Sequence, residues 1–158
     1  MLSRIALALV ALAFGPPSIT VTPVTGPTNA PVPGALFVIA SEHHHEAHAV
    51  TAHARLESIT SGRRHTLPLR LTVVPGKADR WALTKQWPDA QPAVLVLSIH
   101  QGEQGKYGIA EAIVRIGADG RVLGIEKMMQ RNDRGDRYPG PATPKDVDAA
   151  LAAVARGT

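Results

Sequence analysis

The segment from His65 to Val74 places Leu67, Leu69, Leu71 and Val73 on one parity and Thr66, Pro68, Arg70 and Thr72 on the other. This period of two predicts a half-buried β-strand, and Pro68, which has no N–H to donate, assigns it to a sheet edge or a bulge. Other short extended segments follow the same rule. Leu36 to Ala40 is apolar and strand-like. Glu46 to Leu56 sets His48, Val50, Ala52, Ala54 and Leu56 against Ala47, Ala49, Thr51, His53 and Arg55, and Trp81 and Leu83 alternate with Ala82 and Thr84. Ala93 to Ile99 is apolar on both parities, the pattern of a central strand covered on both faces. Ile109 to Ile116 and Arg121 to Met129 flank Gly117-Ala118-Asp119-Gly120, where Asp-Gly predicts a hairpin turn. Strands at this spacing predict an antiparallel β-sandwich or a small barrel over residues 35–130, with the sandwich as the expected fold.

The two ends of the chain read differently. Residues 131–142 are polar and rich in Asp, Arg, Gly and Pro, which predicts a loop. Thr143-Pro144-Lys145-Asp146 then supplies an N-cap, a proline at the first helical position and an acidic third residue. Val147, Ala150, Leu151 and Val154 follow at i, i+3, i+4 and i+7, so residues 143–158 predict one C-terminal α-helix lying across the sheet. At the other end, Met1 to Arg4 carries one positive charge and Ile5 to Phe14 is an unbroken apolar run. This pattern predicts a signal peptide over 1–14, because ten residues are too few to cross a bilayer as a helix. Residues 15–34 hold six prolines, at 16, 17, 23, 27, 31 and 33, and predict an extended linker with room for a short strand at Ile19 to Val24. A periplasmic or secreted protein without a transmembrane segment after signal cleavage is the expectation.

Composition narrows the reading. With 14 glycines and 13 prolines among 158 residues, the chain is turn-rich, and its 44 % hydrophobic and 19 % charged residues belong to a folded domain. The net charge of +4 first suggests nucleic acid, but the basic residues are scattered and only six residues are aromatic, so no stacking platform is expected and nucleic acid is not a predicted partner. An envelope partner of unknown identity is the expectation instead. The absence of cysteine excludes disulfides, thiolate metal sites and a thiol nucleophile.

Five of the seven histidines fall between His43 and His53. The candidate metal-ligating residues are His43, His44, His45, Glu46 and His48, because imidazole and carboxylate suit copper or zinc. On extended backbone His44, Glu46 and His48 share a face, with neighbours about 6.6–6.8 Å apart, while His43 and His45 point the other way. Convergence on one ion therefore needs a bend or a ligand from another strand, for which His65 and His100 are candidates. A solvated strand edge and a pH-responsive patch are the alternatives. Met128-Met129 alternates, so one faces the core. Ser41, Ser58, Ser61 and Ser98 lack a nucleophile-elbow setting. Glu103, Glu111 and Glu126 are dispersed and read as solvated, Gly102, Gly105 and Gly108 mark a hairpin loop, and Arg134-Gly135-Asp136 reads as part of a polar loop. No catalytic residue is predicted, and the chain reads as a non-enzymatic module.

The stretch DRWALTKQWPDAQPAVLVLSIH, Asp79 to His100, resembles the closing half of YtkA-like and related immunoglobulin-like envelope domains. Trp81 and Leu83 would match their aromatic-containing strand, Trp87-Pro88 the turn, and Val94 to Ile99 the aliphatic strand. The turn here carries Gln91-Pro92 in place of a glycine, and a further hairpin and helix follow. The resemblance implies an exported sandwich, with metal handling among copper-resistance relatives, and carries over no site residue.

Overall fold

In the computed structural model, residues 17–42 and 48–158 are described. The chain runs through β1 (Thr20–Pro23), β2 (Ala35–Ala40), β3 (Val50–Thr60), β4 (Arg63–Leu69), β5 (Thr72–Val74), β6 (Lys77–Thr84), β7 (Ala93–Gln101), β8 (Ile109–Ile116), β9 (Val122–Lys127), β10 (Met129–Arg131), β11 (Arg137–Pro139) and α1 (Pro144–Ala155). Strands in the order β1-β2-β6-β5 make one sheet, β4-β3-β7-β8-β9 make a second, and β10-β11 is a small hairpin. Every pairing is antiparallel. The two large sheets pack face to face over Phe37, Ile39, Trp81 and Leu83 from one and Leu95, Leu97, Ile99, Ala112 and Val114 from the other. The expected mostly-β sandwich with one C-terminal helix is the observed architecture.

β7 is the middle strand of the larger sheet, and its residues 93–99 are all buried. Its odd-numbered side chains enter the sandwich core. Val94 and Val96 point outward into a second apolar cluster with Ile113, Met128, Val147, Ala150, Leu151 and Val154, formed where α1 lies on the outer face. Met128 is in this cluster, whereas Met129 is exposed.

α1 starts on a capping box. The Thr143 hydroxyl accepts from Asp146 N at 3.3 Å, while the Asp146 carboxylate accepts from Thr143 N at 2.8 Å. Hydrogen bonds from the Thr143 side chain and backbone hold the Asp146 carboxyl below its usual range. Thr143→Ala is expected to cost about 1 kcal/mol in chemical denaturation, the usual effect of losing an N-cap hydroxyl.

Three expected boundaries differ. The run 65–74 is two strands: β4 belongs to the larger sheet and β5 to the smaller, with the crossing at Arg70. There Gln86 accepts from Arg70 N at 2.9 Å and donates to Arg70 O at 2.8 Å, taking over the backbone pairing that a continuous strand would have made. Both strands are edges, as Pro68 implied for β4. Leu67 and Val73 consequently stay 42 % and 54 % exposed although they pair with core residues Leu56 and Trp81. Within the expected linker 15–34, the described residues 17–34 are integrated into the domain rather than being only a linker. β1 pairs with β2, Ile19 and Val21 join the core, and Val24, Ala30 and Val32 pack on Ala35, Val74 and Ala82. Its prolines allow this because the one inside β1 is its last residue, on an edge strand. The polar loop 131–142 contains β11 and the end of β10, closed by Asn132, whose side-chain oxygen accepts from Asp136 N at 2.9 Å. The segment 1–14 lies outside the described residues.

Candidate functional site

α1 covers only part of the larger sheet's outer face. On that face, β3 directs Thr51, His53, Arg55 and Glu57 outward, and β7 continues from Val94 and Val96 to Ser98 and His100. Register makes the polar residues neighbours: Thr51 lies opposite His100, His53 opposite Ser98, and Ser98 opposite Glu111 on β8. The result is a polar band across three strands, running from the edge of α1 to the loop between β7 and β8.

The end of the band near α1 is built around two buried carboxylates. Glu57 accepts from Arg55 at 3.1 Å, Arg64 at 2.9 Å and Thr66 at 2.7 Å. Arg64 also donates to Asp148 of α1 at 2.8 Å, tying sheet to helix. Burial raises the Glu57 pKa, but the Arg64 and Thr66 hydrogen bonds, the Arg64 charge and the Arg55 hydrogen bond outweigh it and hold the carboxyl below its usual range. Glu111 accepts from the Ser98 hydroxyl, from Ala142 N at 2.7 Å and from Arg55 at 3.4 Å. Its backbone N–H donates to Gly140 O, so the chain leading into α1 is fastened down over it. The sequence reading of Glu111 as a solvated carboxylate is therefore corrected: it is 6 % exposed. Dispersal along the chain hid a cluster that forms only through cross-strand pairing.

The other end of the band carries imidazoles. The His53 and His100 rings lie 4.4 Å apart, tilted by 46°. The Thr51 hydroxyl lies 3.3 Å from His53 Nε2. Burial, and then the charge of His53, lower the His100 pKa against an opposing pull from Glu111. His48, just before β3, stacks on Tyr107 with centroids 3.6 Å apart, and Lys106 lies 5.5 Å from the same ring. The Tyr107 ring sits over Gly102, which has φ +73° and where a Cβ would run into it. Gly102→Ala is expected to cost about 1–3 kcal/mol, because φ +73° with ψ 179° is a backbone region essentially confined to glycine, and to displace Tyr107. NMR should show loss of the ring-current shift on the His48 ring protons.

Of the predicted ligands, His48 stands at this end of the sheet, and His43, His44, His45 and Glu46 lie outside the described residues. Of the two helper histidines, His100 joins the band. His65 does not: it pairs with Ser58, five residues along β3 from His53, a separation of about 17 Å along the strand. Among the described residues, no group of three or more His, Asp or Glu side chains is placed to hold a metal ion. The Ser98 hydroxyl donates to Glu111 rather than to an imidazole. Also among these residues, no helix is long and apolar enough to cross a membrane.

Comparison with known protein families, with curated proteins and with solved structures finds no match to this chain.

Proposed function

We propose that this protein is an exported, non-enzymatic β-sandwich module that binds an envelope partner or ligand on the outer face of its larger sheet, beyond α1. The division of that face carries the reading. α1 covers one part, and the buried carboxylates of the polar band are engaged in internal hydrogen bonds, so imidazoles and the Tyr107 ring are the groups presented to a binder. Such groups recognise ligands through ring contact and directional hydrogen bonding without supplying an activated nucleophile. The apolar run Ile5 to Phe14 supports export, and the likeness of residues 79–100 to YtkA-like and immunoglobulin-like envelope domains agrees with it.

Two experiments test this. Fractionation of cells making the full chain should place a shortened product in the periplasm or medium, and an intact cytosolic chain would contradict export. A photo-crosslinking residue at Thr51 should give a discrete adduct in intact cells, while one at exposed Val73 should not; equal labelling at both would contradict a specific face.

A second reading is transition-metal binding, with copper or zinc held by His43, His44, His45, Glu46 and His48. It is favoured by the position of His48 at the end of the sheet that also carries His53 and His100. Calorimetric titration with Cu2+ and Zn2+ should show a binding component that is lost when His43, His44 and His45 are all changed to Ala; only weak affinity, unaffected by that change, would remove the reading.

A further inference from the structure

We infer that His53 and His100 form a two-imidazole site for a divalent transition-metal ion of the copper and zinc class, built on paired strands and separate from the histidine run at 43–48. It rests on the proposed binding face but does not require that run.

The position is fixed by the sheet. His53 on β3 and His100 on β7 are diagonal neighbours across one ladder, since Thr51 pairs with His100 and His53 with Ser98. Side chains placed this way leave the sheet on the same face within reach of each other. Their rings are already 4.4 Å apart. Metal–nitrogen bonds of about 2.0–2.1 Å hold two ligand nitrogens no more than about 4.2 Å apart, a span comparable to the present ring separation. Both strands belong to the centre of the larger sheet, so the backbone positions of the two ligands are held by ladder hydrogen bonds.

The chemistry of the surroundings agrees. A ligand imidazole must be neutral, and burial, with the neighbouring His53, holds His100 below its usual pKa. In the tautomer where His53 donates Nε2–H to Thr51, Nδ1 carries the lone pair that a metal ion requires. Glu111 sets a negative potential at His100, although its carboxylate is committed to Ser98, Ala142 and Arg55. The protein thus supplies two nitrogens, and water or a bound molecule completes the shell. Imidazole donors select Cu2+, Ni2+ and Zn2+ over Mg2+ and Ca2+, which prefer oxygen.

Cu2+ added to the full chain and read by electron paramagnetic resonance tests the site, with His53→Gln, His100→Gln and the triple change of His43, His44 and His45 to Ala compared at equal protein concentration. Circular dichroism melts check that each variant is folded. The expected result is a two-nitrogen Cu2+ signal that persists in the triple variant, is lost in each Gln variant, and is not displaced by excess Mg2+. A signal lost in the triple variant but intact in both Gln variants would overturn the inference and leave metal binding with the histidine run. A signal unchanged in all variants, or no bound Cu2+ in the parent chain, would overturn it as well. None of these outcomes bears on export or on the crosslink at Thr51, so the wider reading stands or falls separately.

Discussion

Leu97→Ala is expected to lower the unfolding free energy by about 2–5 kcal/mol, the range for truncating a large buried aliphatic side chain. Leu97 is 0 % exposed, pairs with Ala54 on β3 and Ala112 on β8, and points into the core between the sheets. Its ladder neighbours on both sides are alanines, small side chains that cannot extend to fill the space it would leave. Single domains have only about 5–15 kcal/mol in all, so the variant should unfold at a much lower urea concentration with an unchanged slope. A loss under about 1 kcal/mol would mean that β7 is not the packed centre of the sandwich, since even Ile→Val changes in a core commonly cost that much.

Glu57→Ala is expected to cost about 2–3 kcal/mol, below the 3–5 kcal/mol seen when one partner of a fully buried ion pair is removed. The discount follows from the two arginines, whose side chains remain 37 % and 41 % exposed and can recover water. The loss should appear at both ends of the network, because Arg64 also joins Asp148 on α1. The pH dependence has a defined sign. A carboxyl held below the usual glutamate value of 4.5 stabilises the fold above that pH and loses the contribution as pH falls through its own lower value. Wild-type stability should therefore drop below about pH 4.5 more steeply than that of Glu57→Gln. Equal acid sensitivity in denaturant titrations of the two would remove Glu57 from this role.

The strands and the helix were legible because each shows its own period. The two-faced apolar run at 93–99 is the strand covered on both sides, and Val147, Ala150, Leu151 and Val154 are the buried stripe of α1. The Asp-Gly pair lies in the turn joining β8 to β9. Alternation could not reveal that the run 65–74 changes sheets, because Leu69 and Leu71 both meet the core on either side of the crossing and the period continues unbroken. The polar band was hidden for a different reason. Ser98 and Glu111 are 13 residues apart and His53 lies far from both along the chain, and a shift of one residue in the β3–β7 register would send His53 to the other face. That register depends on packing of the whole sandwich. Polarity of Thr51, His53, Arg55 and Glu57 was visible as one parity of a strand, but not which residues they would meet.

The most direct test of the account is an NMR titration of the imidazole protons, assigned through His53→Gln and His100→Gln. If two histidines from separate strands meet on the face that α1 leaves open, His100 should titrate below the ordinary histidine value of 6.5. Its midpoint should rise in His53→Gln, where the neighbouring charge is gone. A His100 midpoint at or above 6.5 that ignores the change at His53 would contradict the placement from which the binding face is drawn.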